Sequence, residues 1–156
     1  MTAPATDPEL DAIEAQIDAW AERELADNPV VAAVERAPRS EGRRWYLRVH
    51  GEEKDVYTVW LVLRQRTLHH ETYFMPAPEE NHAQLYEHLL RRNQKLNGMG
   101  FAIGIEDAVF LQGQLPVEAV TDDELDRILG STYAYVEQCF RPALRIGFAS
   151  RFATDS

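Results

Sequence analysis

The sequence predicts an α+β domain with one mainly antiparallel sheet of about five strands and three principal helices, in the order α-β-β-β-α-β-β-α. Two observations carry this prediction. Three segments have apolar residues at helical spacing behind capping or proline signals, and five segments are apolar or alternating runs bounded by turn residues. Strands grouped together before a helix, rather than alternating with helices, are typical of the α+β class.

The composition is that of a single globular domain. The 156 residues are 45% apolar and 27% charged, without repeats or low-complexity tracts. We expect residues 1–6 to be frayed and residues 7–152 to form one domain.

The single cysteine, Cys139, excludes an internal disulfide, and its apolar helical surroundings predict a buried thiol. There is no signal-peptide pattern and no apolar stretch near the ~20 residues of a membrane span, so we expect a cytoplasmic protein without a membrane partner.

The first helix is predicted to begin at Asp7-Pro8-Glu9, where a capping side chain precedes a proline and an acid, and to end near Asn28. Its inner face follows helical spacing: Leu10, Ile13, Ile17, Trp20 and Leu25. Its outer face is acidic: Glu14, Asp18 and Glu22. The apolar run 30–34 fits either an extra strand or a helical turn, and its pattern does not decide between them. A loop is expected over 37–42.

Three strands are predicted next, from Trp45 to His50, from Val56 to Arg64 and from Thr67 to Phe74. Residues 51–55 form a hairpin turn between the first two. The second strand is apolar on both faces: Tyr57, Val59, Leu61 and Leu63 alternate with Val56, Trp60 and Val62. A strand of this kind is central in its sheet, or is covered on one face by another subunit.

A second helix is predicted to start at residues 78–80 and to stop at residues 97–98. Its inner stripe comprises His82, Leu85, Tyr86, Leu89 and Leu96. Residues 101–105 and 108–115 then form a hairpin around an acidic turn, which completes the sheet.

The third helix is predicted to open with a capping box formed by Thr121 and Glu124. Proline lacks a backbone donor, so Pro142 is expected to kink or end this helix. The tail from Ile146 to Phe152 is apolar enough to dock on the rest of the domain.

Several motifs of the core resemble the YbjN family in its actinobacterial form. They are Gly51-Glu52-Glu53-Lys54-Asp55-Val56, Arg64-Gln65-Arg66-Thr67-Leu68, Met75-Pro76-Ala77-Pro78-Glu79-Glu80-Asn81, Leu89-Leu90-Arg91-Arg92-Asn93, Glu106-Asp107-Ala108 and Gly113-Gln114-Leu115-Pro116. The resemblance covers residues 44–150. It implies a type III secretion chaperone-like fold, dimerisation and a cytoplasmic, non-enzymatic role in a family described only as candidate sensory-transduction or stress regulators. It implies no catalytic or ligand-binding residues.

The histidines form the cluster most suggestive of reaction chemistry. On a strand, His69 and Glu71 project to one face and His70 to the other. His82 and His88 are six positions apart on a helix, so they diverge by roughly 120°. Acid pairs lie at turns or helix starts, and no nucleophile or phosphate-loop motif has its required context. We therefore predict no catalytic residue, no metal and no cofactor.

The net charge of −10 argues against a nucleic-acid partner, because an acidic domain is repelled by phosphate backbones. The strongest basic group is Arg91, Arg92 and Lys95. These residues fall in the last turns of the second helix, where they complement the helix dipole.

The preferred functional interpretation is a protein-binding module that forms a homodimer through the sheet or the second helix and holds an unidentified protein partner. The candidate interface residues are Tyr57, Trp60, Val62, Tyr86, Arg91 and Arg92. The alternative is an enzyme or small-ligand binder with a pocket between the sheet and the second helix, lined by His82, Tyr86 and Glu71. The sequence does not indicate which face of the sheet binds.

Overall fold

The computed structural model describes residues 3–153 and contains one six-stranded antiparallel sheet packed by helices. The strands are β1 (Val31–Arg36), β2 (Arg43–His50), β3 (Val56–Leu63), β4 (Thr67–Met75), β5 (Gly100–Ile103) and β6 (Val109–Pro116). The helices are α1 (Asp7–Asp27), α2 (His82–Asn93), α3 (Asp122–Gly147) and α4 (Ala149–Ala153). Sheet order is β1-β2-β3-β4-β6-β5, and every neighbouring pair is antiparallel. The predicted α+β class is confirmed, with one strand more than the expected five.

The additional strand lies in the segment whose conformation the sequence left open. Residues 31–36 form β1, which pairs with β2 and places Val31 opposite Val49 and Val34 opposite Leu47. Strand pairing with a neighbour already present in the sheet therefore decides between strand and helix for this short apolar run. The strand β3, for which the sequence left open a central position or cover by another subunit, is the third of the six.

The helices cover one face of the sheet. That buried face carries alternate residues of every strand, among them Trp45, Leu47, Val59, Leu61, Leu68 and Leu111. Helix α1 contacts it through Asp18, which accepts a hydrogen bond from the Trp45 indole at 2.7 Å. Helix α3 contacts it through Phe140, whose ring lies 5.8 Å from that of Phe74. The opposite face, which we call the open face, carries the intervening side chains of β2, β3 and β4.

The first helix differs from its prediction in its cap and in its buried face. Thr6, not Asp7, is the capping residue, and it forms a reciprocal capping box with Glu9. Glu14 is only 6% exposed, although its spacing predicts the outer face, whereas Leu25 is 44% exposed. Just before the helix, in the segment expected to fray, the Ala5 N–H donates to the Gln65 carbonyl. Residues 1–2 lie outside the described residues.

The second helix begins at His82, two to four residues after the predicted start at residues 78–80. The cause is tertiary: the N–H groups of Glu79 and Glu80 both donate to the Gly147 carbonyl, and Asn81 adopts a left-handed conformation with φ 54°. The helix also ends earlier, at Asn93, and a turn leads from there to β5.

The third helix runs through Pro142 to Gly147, so of the two expected effects of this proline, a kink or an end, the end does not occur. The capping hydrogen bond from the Glu124 N–H to the Thr121 hydroxyl is present. The apolar tail docks as expected, because Phe148 is buried and the Ser150 hydroxyl donates to Glu80 at 2.7 Å. No helix within residues 3–153 has the length and apolar content needed to span a bilayer.

Candidate functional site

One of the six candidate interface residues lies on the wrong side of the sheet. Tyr57 belongs to the buried face and is 4% exposed, so it is not part of a surface. Burial raises the pKa of its hydroxyl, and the nearby Glu137 carboxylate adds to that effect. The alternation along β3 identifies the two faces of the strand, but it does not say which of them the helices cover.

Trp60 and Val62 lie on the open face. Trp60 is 36% exposed and makes an edge-to-face contact with Tyr46 on β2, with ring centroids 6.0 Å apart. Val56 and Tyr73 on the same face are 45% and 42% exposed, whereas Val62 is covered by its neighbours. The open face therefore presents large apolar side chains to solvent on two adjacent strands, β3 and β4.

Two shallow hollows meet at the centre of the open face. They share Ala33, Arg48, Thr58 and Trp60. The first hollow extends towards Tyr73, and the second extends towards Arg44 and Tyr46. Ala33 and Thr58 are small, so the floor between the larger side chains is low enough to receive groups from another molecule.

Lys54 closes one end of the open face. Its ammonium donates to the carbonyls of Tyr73 and Phe74 at 2.6 and 2.8 Å, and lies 5.2 Å from the centroid of the Tyr73 ring. Burial lowers the pKa of Lys54 to about 8, while the carbonyls and the ring favour the charged form. These contacts hold the β2–β3 turn against β4.

The histidines diverge as the strand geometry predicts. His69 Nε2 lies 3.6 Å from Glu71 on the open face, whereas His70 points into the buried face and is 2% exposed. Burial, together with smaller effects of the nearby His69 and Arg127, lowers the pKa of His70 to about 4. Within residues 3–153, no three side chains of histidine, cysteine or acid type are grouped so as to hold a metal ion.

A second apolar surface, the α2–β5 groove, lies at the far edge of the sheet. Its lining is uncharged: Tyr86, Leu89, Leu90, Phe101, Ala102, Ile103 and Val109. Leu90 and Ile103 are 65% and 54% exposed. Of the candidate interface residues on α2, Tyr86 lines this groove, Arg91 forms an exposed ion pair with Glu87, and Arg92 is half-buried.

The pocket of the alternative interpretation does not form. Glu71 lies on the open face beside His69, and His82 is exposed at the start of α2. Only Tyr86 lines a hollow between the sheet and the second helix. The three side chains therefore do not converge on a common ligand.

The backbone of β5 beside the groove is closed to strand addition at its centre. The side chain of Asn93 donates to the Phe101 carbonyl at 3.3 Å and accepts from the Phe101 N–H at 2.7 Å. These are the outward-facing backbone groups of an edge strand, which otherwise pair readily with another chain. The groove thus offers side chains rather than main-chain hydrogen bonds.

Sequence reasoning missed a charged network at the other end of the sheet. Glu14 is approached by Arg36, Arg39 and Arg43 at 2.6, 3.2 and 3.0 Å. Asp11 and Asp18 pair with two of the same arginines, so three carboxylates balance three guanidinium groups. Glu14 is the buried centre of this network and its partners are partly exposed, an arrangement that periodicity within one helix does not reveal.

Comparison with known proteins identifies the family of this chain and a solved structure with a similar fold. The sequence model of the YbjN family, described as "Putative bacterial sensory transduction regulator", matches residues 11–145. An uncharacterized protein of Mycobacterium tuberculosis is 33% identical over 100 residues, which are 64% of this chain and 55% of that protein. One of Mycobacterium leprae is 30% identical over 107 residues, which are 69% and 58%. The chain thus spans a little over half the length of these curated relatives.

A solved structure with a similar fold is the Yersinia pestis type III secretion chaperone SycH, in complex with a stable fragment of YscM2. The TM-score is 0.51 at 19% sequence identity, covering 80% of this chain and 96% of that chain. The predicted chaperone-like fold is therefore confirmed.

Proposed function

This chain belongs to the YbjN family, and from that premise we propose that it is a non-enzymatic regulatory domain that holds a segment of another protein on the open face of its sheet. The regulatory setting is a cytoplasmic sensory-transduction or stress response. The chaperone-like fold supports the proposal, because the similar Yersinia structure is a chaperone that holds a protein fragment.

The observation that carries the proposal is the uncovered state of the open face. Val56, Trp60 and Tyr73 stand exposed on neighbouring strands and surround hollows floored by small residues. Aromatic side chains of this kind supply much of the binding energy at protein interfaces. An enzyme has no comparable support, since Glu71, His82 and Tyr86, the side chains expected to line a ligand pocket, do not converge on one site.

We further propose that the domain is a homodimer and that the α2–β5 groove is its interface. The lining of the groove is uncharged, so two copies can pack there without opposing like charges. Leu90 and Ile103 would be covered in such a dimer, and a symmetric dimer is the commonest way in which soluble chains cover a surface of this kind. The open face then remains available to the partner.

Affinity capture from the native cytoplasm, with bound proteins identified by mass spectrometry, tests the protein-binding role. The wild-type domain and a control, Arg145→Gln on the exposed side of α3, are expected to retain the same protein. Trp60→Glu and Thr58→Arg, which alter an exposed side chain and the floor of the hollows, are expected to lose it while keeping a wild-type circular dichroism spectrum.

Retention that is equal for all four baits would contradict binding at the open face. Saturable binding of a small metabolite by the wild type, without any protein dependent on Trp60, would favour the small-ligand alternative instead.

A further inference from the structure

Two arginines on the open face have no carboxylate partner among residues 3–153. Arg44 and Arg48 flank Tyr46 on β2, so both guanidinium groups rise from the same face of one strand. Arg44 donates only to the Glu41 carbonyl, at 2.7 Å. The chain carries 26 acidic residues against 16 lysines and arginines, and most of its other arginines are ion-paired. Two neighbouring cations left without acids mark a place suited to an incoming anion.

The arginines border the same hollows as the exposed aromatic residues. Arg48 and Trp60 are common to both hollows, and Arg44 lines one of them. A molecule lying across this surface would meet a positive group and an apolar wall within the span of adjacent strands, which are ~4.8 Å apart. Glu35 also lines the second hollow, but it forms no ion pair with either arginine.

We propose that the segment held on the open face is extended and acidic, with its carboxylates on Arg44 and Arg48 and a bulky apolar side chain beside Trp60. This inference deepens the proposed function and rests on it. The low floor of Ala33 and Thr58 leaves room for the backbone of the segment, while Tyr46 and Tyr73 bound the site of the apolar side chain.

Other occupants fit the charges less well. A nucleic acid would meet the net charge of −10 and the carboxylates of Glu35 and Glu71. A second copy of the chain would bring a second pair of unpaired arginines to the face, and one of the two acids available there, Glu71, already contacts His69. An acidic segment of a different protein supplies the carboxylates that Arg44 and Arg48 lack.

Selection from a phage-displayed library of random peptides tests the inference. Peptides of about ten residues span roughly 33 Å when extended, which is enough to cross the sheet. The wild-type domain is expected to enrich peptides with aspartate or glutamate close to tryptophan, phenylalanine or leucine. A chosen peptide should bind Arg48→Gln and Arg44→Gln about fivefold more weakly each, and should bind the control Arg145→Gln as it binds the wild type. Its affinity should fall as NaCl is added.

Three outcomes would overturn the inference, and they are distinguishable. Peptides that need Trp60 but show no acidic preference would overturn the charge selection and leave the proposed protein-binding role standing. Peptides that bind Trp60→Glu as they bind the wild type would contradict the open face itself, and with it the proposed function. Conversion of a wild-type dimer to a monomer by Trp60→Glu would show that a second copy occupies this face.

Discussion

At the scale of single residues, His70 is buried on the helix-covered face of β4 and its Nε2 has no hydrogen-bond partner. Its pKa of about 4 in the fold lies below the ordinary value of 6.5. At pH values between these two, the unfolded chain binds a proton that the folded chain does not. The contribution of neutral His70 to the free energy of unfolding is therefore fully present above pH 6.5 and is lost as the pH falls towards 4.

We expect His70→Gln, which cannot titrate, to show a smaller loss of stability over this window. The pKa difference of His70 between the unfolded and the folded chain corresponds to roughly 3 kcal/mol of unfolding free energy, from about 1.36 kcal/mol per unit of pKa. Urea unfolding of both proteins from neutral to acidic pH measures it, with His82→Gln, an exposed histidine, as the control. Parallel stability curves for wild type and His70→Gln would contradict the assignment.

Gly51 illustrates a second constraint at this scale. Glu137 Oε2 accepts hydrogen bonds from the N–H groups of Glu52 and Glu53 at 3.1 and 2.6 Å, so α3 holds the β2–β3 turn through one carboxylate. A Cβ atom at Gly51 would lie 1.9 Å from Glu137 Oε1 and 2.5 Å from the Lys54 carbonyl oxygen. There is no room for a side chain at this position.

We expect Gly51→Ala to lower the free energy of unfolding by roughly 1–3 kcal/mol, as overpacking does. Gly130→Ala is the matched control, because its Cβ would meet no atom within 4 Å and it lies inside α3. That substitution should raise stability by roughly 0.5–1 kcal/mol. Denaturant unfolding compares the two, and effects of the same sign would contradict the structure.

Sequence patterns predicted residue roles well where one element decides them and poorly where two elements meet. The buried positions of Ile17 and Cys139 follow from periodicity within their own segments. The burial of Glu14 does not follow in this way, because it depends on arginines far along the chain. The burial of Tyr57 depends on which face of the sheet the helices cover.

At the scale of elements, β5 is a short edge strand whose exposed backbone is sealed by a side chain. Replacing Asn93 by alanine leaves the Phe101 N–H and carbonyl without partners in a half-buried setting. We expect Asn93→Ala to cost about 1–3 kcal/mol and to speed hydrogen exchange at the Phe101 amide. The neighbouring Gln94→Ala serves as control, and unchanged exchange at Phe101 in Asn93→Ala would contradict the role of Asn93.

Element boundaries show which forces sequence reading misses. Both strands of the last hairpin and the cap of α3 were predictable, because turn residues and capping boxes act over three or four positions. The start of α2 was not, since the amides of Glu79 and Glu80 are held by the Gly147 carbonyl. For Pro142 the sequence left open a kink or an end of α3, and the helix continues because packing of its last turns outweighs one lost helical hydrogen bond.

At the scale of the whole molecule, two separate uncovered apolar surfaces predict two separate effects of mutation. Leu90→Glu places a charge in the α2–β5 groove and is expected to convert the homodimer to a folded monomer. Trp60→Glu is expected to leave the dimer intact. Light scattering at high micromolar concentration measures the mass of each protein.

A monomeric wild type under these conditions would contradict dimerisation. A wild-type dimer that Leu90→Glu leaves unchanged would place the interface elsewhere on the domain.

The fold class was within reach of the sequence because element order depends on local patterns, and the family motifs supported it. The open face was not, since two-sided apolar character in β3 is compatible with a helix on either side. The positions of α1 and α3, which pack on the face that carries Trp45 and Phe74, determine which face of the sheet stays uncovered.

The junction of Gly147 with residues 79–80 has a consequence for the order of assembly during synthesis. The two parts are 68 and 67 positions apart, counted from residue 147, and the Asn81 amide adds a third link to the Ile146 carbonyl. A nascent chain that has already emerged through β4 and α2 therefore lacks the acceptors for these amides until the end of α3 is translated. Docking of the β4–α2 connection is a late event in biosynthesis, and a ribosome stalled within α3 would display a second helix whose start is not yet held.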